Sequence, residues 1–323
     1  MARWVVTGGV GFIGFHLCRA MAARGDDVVV IDDFSDAPYP RAEKRRNERD
    51  LLSEHGARVR VVTACVTDRA AIRPCFEGAH GVVHLAGLAG VRPSFADPAR
   101  YARVNVEGTA TTLAVAREAG LERYLFASSS SVYGNSTPLP APEDAAAIAP
   151  ESPYGASKRS AELVASAMSR VMPELPITAL RFFTVYGARQ RPEMAITLFM
   201  RAVLAGQPIT VFGDGSMRRD FTYVDDIVAG VLAATERAPA GFRVYNLGSE
   251  APIRLDALVD EIARVAGKRP MITRAPVPPG DVDATFADLS RAKTELGYAP
   301  KTPLGEGLAA VRDWVAAHPV VAS

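Results

Sequence analysis

Tyr154 and Lys158 stand four positions apart in the run Ser152-Pro153-Tyr154-Gly155-Ala156-Ser157-Lys158. On a helix that spacing puts a phenol and an ammonium on one face. A tyrosine near its ordinary pKa of about 10 is a poor base at neutral pH, and a neighbouring ammonium favours the phenolate. Such a pair can move a proton to and from a hydroxyl. Far upstream lies a glycine turn, Thr7-Gly8-Gly9-Val10-Gly11-Phe12-Ile13-Gly14. Gly8 permits the tight turn, Gly11 lets backbone approach a pyrophosphate, and Gly14 lets a helix pack against a strand. The helix that follows offers unpaired N–H groups and partial positive charge to phosphates. A dinucleotide beside a proton-moving phenol is the equipment for transferring hydride to and from a nicotinamide. Asp32 closes the second apolar run, with Asp33 next to it. A carboxylate there accepts from the adenosine ribose 2′-hydroxyl and repels a 2′-phosphate, which favours NAD over NADP. Ser128, Ser129, Ser130 and Ser131 follow the fifth apolar run and form a hydroxyl-lined wall where a substrate hydroxyl would lie.

These residues need a scaffold that gathers them. Apolar runs predict strands at 4–6, 28–31, 59–62, 82–85 and 124–127, and helical patterns cover 12–24, 42–55, 98–119 and 154–171. Continuous apolar strands alternating with helices indicate an α/β fold with a doubly wound parallel sheet. After Tyr186 prolines and glycines recur, and 276–280 must be loop. The expected division is a dinucleotide-binding domain over 1–185 and a smaller, partly interleaved C-terminal substrate lobe over 186–323, with some segments returning to the sheet. The Ala/Pro-rich segment 138–150 is expected to be a surface loop.

With 37 basic and 36 acidic residues the net charge is +1, so no strong field recruits nucleic acid or an anionic membrane. Many of the arginines are expected to be solvated. Cys18, Cys65 and Cys75 are odd in number and lack metal-ligand spacing, which predicts reduced thiols in the cytoplasm and no metal. Arg3, the apolar stretch and Ala20-Met21-Ala22 imitate a signal peptide, but cleavage there would remove the glycine turn. No run approaches the length of a membrane span.

The chain resembles the extended short-chain dehydrogenase/reductases, and among them the nucleotide-sugar epimerases. TGGVGFIG, HLAGLAGV (84–91), SSSSVYG (128–134), YGASK (154–158) and RRDFTYVDD (218–226) match in order, over essentially the whole chain. AGVRPS (89–94), FFTVYGARQRPEMA (182–195) and the basic segment Lys44-Arg45-Arg46-Asn47 are most similar to UDP-glucuronate 4-epimerases; UDP-glucose 4-epimerases typically carry Asn where Thr184 stands. The resemblance implies a Rossmann domain and C4 epimerisation of a nucleotide sugar through a 4-keto intermediate, with NAD retained and regenerated. It implies Tyr154 as general base, Lys158 as its electrostatic partner and Ser129 as the third catalytic member, with Ser130 or Ser131 lining the sugar pocket. It further implies Gly8, Gly11, Phe12, Ile13, Gly14, Asp32, Asp33, Val66, Leu85, Ala86, Gly87, Asn105 and Ser128 as cofactor contacts. Thr184, Arg191, Arg219 and Asp281 fall on the substrate side, Arg219 facing the diphosphate and Arg191 the sugar carboxylate. Cys65 departs from the usual adenine-contacting Asp. A homodimer through helices 102–119 and 157–171 is expected. Rival expectations are epimerisation of UDP-glucose or UDP-N-acetylglucosamine, decarboxylation of UDP-glucuronate, and a non-catalytic NAD sensor. The decarboxylases usually have Glu at the place of Ser131, the 4,6-dehydratases an Asp-Glu pair in that turn, and a sensor would not need Tyr154 or Lys158.

Overall fold

The computed structural model of the chain describes residues 1–36, 39–145 and 148–318. Seven strands form one sheet: β1 (Arg3–Thr7), β2 (Asp27–Asp32), β3 (Val59–Thr63), β4 (Gly81–His84), β5 (Arg123–Ser129), β6 (Ile177–Phe182) and β11 (Phe242–Leu247). Their order is β3-β2-β1-β4-β5-β6-β11, and every pairing is parallel. Both faces are covered, which is why β4 and β6 are buried along their whole length. One face packs on α1 (Phe12–Ala23), α2 (Arg41–His55) and α9 (Val224–Arg237) through Phe15, Leu17, Leu51, Ile227 and Val231. The opposite face packs on α3 (Arg69–Phe76), α6 (Gly108–Glu118) and α7 (Pro153–Ser169) through Ile72, Phe76, Leu113 and Ala161. Burying each such large side chain contributes about 1.5–3 kcal/mol.

The connection after β4 is broken into α4 (Val91–Ala96), α5 (Pro98–Tyr101) and a widened π turn over Ala102–Glu107 that runs on into α6. The expected single helix over 98–119 is therefore three helical pieces in series; the capping Asp97 and Pro98 start a helix that the π turn then widens.

A third core belongs to the C-terminal lobe. Here α8 (Ala195–Ala205), α10 (Leu255–Ala266) and α11 (Leu304–Ala317) bury Phe199, Met200, Leu258, Ile262, Leu308 and Val311 together. Short paired strands bind it: β7 (Thr184–Tyr186) with β10 (Phe221–Tyr223), β8 (Ile209–Phe212) with β13 (Ile272–Ala275), and β9 (Arg218–Arg219) with β12 (Ile253–Arg254).

One further sequence expectation is corrected. Segment 138–150 is not simply a surface loop: Ala141 bonds the backbone of Phe286 and Asp288, and Glu143 Oε1 accepts from Asn246 N at 2.9 Å, so this strap points inward (146 and 147 lie outside the described residues). One arginine lies in the core. Arg181 on β6 is 1% exposed. Its guanidinium meets both carboxylate oxygens of Glu162 at 2.8 Å, and Glu162 also accepts from Ser128 Oγ at 2.6 Å and Arg159 Nη1 at 2.9 Å. A buried charge of either sign is tolerated only when paired in this way.

Candidate active site

The chain reverses its direction of travel across the sheet between β1 and β4, where α/β sheets open a crevice above the strands' carboxyl ends. A cavity of about 910 Å³ lies there. Gly8, Gly11, Phe12, Ile13, Gly14, Asp32, Asp33, Val66, Leu85, Ala86 and Gly87 line one end. Ser128, Ser129, Ser130, Ser131, Tyr154 and Lys158 line its middle, and Thr184, Arg191, Arg219 and Asp281 its far end. Residues spread over 274 positions of sequence (Gly8 to Asp281, 281 − 8 + 1) thus share one wall.

The glycine turn fits a dinucleotide. A Cβ on Gly14 would lie 2.2 Å from Gly8 O and 2.7 Å from Gly9 Cα, so α1 reaches the turn only because no side chain intervenes. A Cβ on Gly11 would meet nothing nearer than Gly8 O at 3.1 Å and would occupy the space a phosphate needs. Asp32 is 5% exposed and accepts from Phe34 N and from Lys44 Nζ, both at 2.9 Å. Burial raises its pKa, and the Lys44 ammonium opposes that rise. Lys44 also lies 3.5 Å from Asp33, so this end carries two carboxylates against one ammonium and remains unfavourable to an extra phosphate. Cys65 lines the cavity beside Val66, its Sγ 3.2 Å from Thr67 Oγ1.

Asn105 does not line the wall. It is 1% exposed, accepts from Leu88 N at 2.8 Å, and donates to Leu88 O at 3.0 Å and Ser157 Oγ at 2.8 Å. It holds the loop after β4 against α7. Thr7 works in parallel, its hydroxyl accepting from Ala86 N at 3.1 Å and lying 2.7 Å from His84 Nδ1.

Helix α7 delivers the reactive pair. Ser152 caps it by accepting from Gly155 N at 3.1 Å, a bond worth about 1 kcal/mol, and Pro153 occupies the first turn. Tyr154 therefore sits at the helix mouth and Lys158 one turn in. A Cβ on Gly155 would lie 2.2 Å from Ser131 O, so the serine turn and the helix can meet only at a glycine.

Burial raises the Tyr154 pKa; a hydrogen bond with Ser129 and the positive charge of Arg191 hold it down. The Lys158 ammonium donates to Ala127 O at 2.8 Å, and Arg191 brings positive charge to bear on the phenol. Burial lowers the Lys158 pKa to about 8, against the pull of Glu162 one turn further along. The serine wall is also narrower than expected. The Ser128 hydroxyl turns to Glu162, whereas Ser129 Oγ accepts from Ser131 N at 3.1 Å and faces Tyr154.

At the far end Arg191 donates to Ala89 O at 3.3 Å and pairs with Glu193 at 3.1 Å. Arg219 donates to Arg218 O at 2.9 Å, and burial lowers its pKa against the charges of Asp281 and Asp283. Asp281 is held by Arg92 at 3.2 Å, and the Arg92 guanidinium stacks 4.5 Å over Phe212. Lys44 and Arg92 line the cavity but are not among the candidate site residues read from sequence. Both stand inside stretches that carry the resemblance, the basic segment and AGVRPS, and that was the available signal. Among the described residues no cluster could hold a metal ion, and no helix is long and apolar enough to cross a membrane.

The sequence profile of the NAD dependent epimerase/dehydratase family matches residues 4–248. UDP-glucuronate 4-epimerase 3 of Arabidopsis thaliana is 38% identical over 331 residues, covering 96% of this chain and 75% of that protein. The crystal structure of a UDP-glucuronic acid 4-epimerase from Bacillus cereus, in complex with UDP-glucuronic acid and NAD, is 34% identical. It superposes with a TM-score of 0.91 over 98% of this chain and 99% of that one. A UDP-glucose 4-epimerase from Thermotoga maritima with UDP-glucose is 29% identical, with a TM-score of 0.87 over the same shares.

Proposed function

The chain belongs to the NAD dependent epimerase/dehydratase family, and from that premise we propose that it interconverts UDP-glucuronate and UDP-galacturonate by NAD-dependent epimerisation at C4. The observation that carries the substrate is one cavity holding both the Tyr154–Ser129 pair and the Arg191 guanidinium, which suits a sugar with a hydroxyl to be deprotonated and a carboxylate to be held.

When bound, NAD supplies reversible hydride acceptance. The glycine turn, Asp32, Asp33, Lys44, Val66 and Leu85–Gly87 hold it, and Cys65 leaves the adenine end without the usual carboxylate. Tyr154 would take the proton from the C4 hydroxyl, with Ser129 bonded beside it, and return it to the same oxygen once the sugar has turned to present its other face. Burial raises the Tyr154 pKa, so phenolate depends on positive charge brought close; Arg191 provides part of it. Lys158 would hold the nicotinamide ribose, and Arg219 the diphosphate of the sugar nucleotide. A 4-keto glucuronate is a β-keto acid, which loses CO₂ when its C5–carboxylate bond aligns with the carbonyl π system. Arg191, Thr184 and the Ser130–Ser131 hydroxyls hold the carboxylate out of that alignment without reorganising during the reaction. Ser131 stands where a decarboxylase would need a carboxylate, which disfavours that rival. The exposed Leu163 on α7 supports pairing of two copies through α6 and α7, and the reduced cysteines support a cytoplasmic protein.

The test is incubation of purified protein, without added NAD, with UDP-glucuronate, UDP-glucose and UDP-N-acetylglucosamine. UDP-galacturonate from the first alone is expected, from a species with twice the chain's mass by light scattering. Turnover of only the neutral sugars would remove the carboxylate assignment, and UDP-xylose or its 4-keto precursor would shift the reading to decarboxylation.

A further inference from the structure

Arg191 reaches the cavity from a turn, Gly187–Arg191, that is held by the opposite half of the molecule. Ala188 O accepts from His16 Nε2 on α1 at 3.0 Å. Arg189 O accepts from the Tyr39 hydroxyl at 2.9 Å. The Arg189 guanidinium forks across α2, donating to Asn47 Oδ1 and to Asp50 Oδ2, each at 2.6 Å. Its plane is sandwiched 3.8 Å from the Phe15 ring of α1 and 4.5 Å from Trp314 of α11. Asn47 is fully buried, and its amide donates to Val10 O in the glycine turn at 2.9 Å and to Tyr39 at 3.1 Å. One side chain therefore bonds the cofactor turn and the guanidinium that anchors the substrate turn. Arg189 also adopts a φ of +68°, a conformation that costs a non-glycine residue energy and persists only where surroundings impose it. Yet Arg189 does not line the cavity, whereas Gln190 and Arg191 do.

We infer that Arg189, forked between Asn47 and Asp50, is a positioning residue that aims Arg191 at the acidic group of the sugar and so sets the preference for an acidic over a neutral nucleotide ligand. This rests on the carboxylate assignment made above for Arg191. The rigid fork gives direction: a lysine could keep the charge pair with Asp50 but could not span both partners in the same plane. Because the fork lies outside the cavity, its loss should act on the carboxylate contact and spare the nucleotide contacts.

The test is calorimetric binding of UDP-glucuronate and of UDP, which lacks the sugar, to the NAD-loaded protein. Arg189→Met should weaken UDP-glucuronate about tenfold or more and UDP by less than about twofold. Arg189→Lys should recover only part of the loss. In the Arg191→Met background Arg189→Met should add almost nothing, since two residues acting through one contact are not additive. Equal weakening of both ligands, no weakening, or full additivity would each overturn the inference. Should Arg189→Met fail to fold, Asp50→Asn on the outer side of α2 decides, with a loss of about threefold expected for UDP-glucuronate alone. A wild-type protein that epimerises UDP-glucuronate yet shows unchanged selectivity in these variants defeats the positioning role only. A wild-type protein that binds UDP-glucuronate no better than UDP defeats the carboxylate assignment itself.

Discussion

Tyr154 illustrates why a side chain's identity does not determine its chemistry. Burial alone would make its phenol a weaker acid than in water, and the proposed role requires the reverse. The structure supplies the correction in parts, a hydrogen bond from Ser129 and a guanidinium from Arg191, leaving the remainder to the bound ligands. Removal of the hydroxyl should therefore abolish proton transfer but not assembly: Tyr154→Phe is expected to lower kcat by about 10²- to 10⁴-fold while NAD content, read by absorbance after denaturation, stays unchanged. Turnover within a few-fold of wild type would remove Tyr154 from the reaction. At this scale the sequence was informative wherever spacing carries geometry, as in Tyr154 and Lys158, or where a glycine tolerates no substitute. It was silent wherever the partner is set by packing. Nothing in the string ties Lys44 to Asp32, turns Ser128 away to Glu162, or moves Asn105 behind the wall.

Among the elements, the glycine turn and α1 are the proposed seat of the cofactor, and two substitutions separate contact from conformation. Gly14→Ala would push a methyl to 2.2 Å from backbone oxygen, which neither partner can yield cheaply. Gly120→Ala meets nothing within 4 Å, and its φ of +66° costs about 1 kcal/mol. Only Gly14→Ala should yield protein lacking NAD; equal NAD content in the two variants would mean α1 can slide, and the close-packing argument would fail. Strands β1 to β5 and most of α1, α2 and α7 were legible because the inner strands are covered on both faces and leave apolar runs. β6, β11 and α3 were not. Thr178 and the buried Arg181 interrupt β6, Arg243 and Asn246 interrupt β11, and α3 spans eight residues with Pro74 inside it. The inward strap at 138–145 is held by backbone bonds that leave no composition signal.

Across the whole molecule, acid should loosen the fold through two buried histidines. Burial lowers His16 to about 4 and His84 to about 3, from an unfolded value near 6.5. Above 6.5 neither group costs stability. As pH falls below 6.5 the unfolded chain takes up protons that the folded chain refuses, so stability declines until about pH 4 for His16 and about pH 3 for His84. Each contributes a loss of about 3 kcal/mol by about pH 4. The melting temperature should fall between pH 6.5 and 5, and less steeply in His84→Asn, which keeps an acceptor for Thr7. An unchanged slope would show that His84 does not titrate in this way.

The last strand of the sheet has a temporal meaning as well. β11 pairs with β6 along Ile177–Phe182 only after the segments from β7 through α9 have been made. A growing chain must carry β6 as an unguarded edge, with Tyr133 and Glu143 still waiting for Asn246, until residue 247 leaves the ribosome. The sheet is thus closed late, by a strand that arrives from beyond α8 of the C-terminal core.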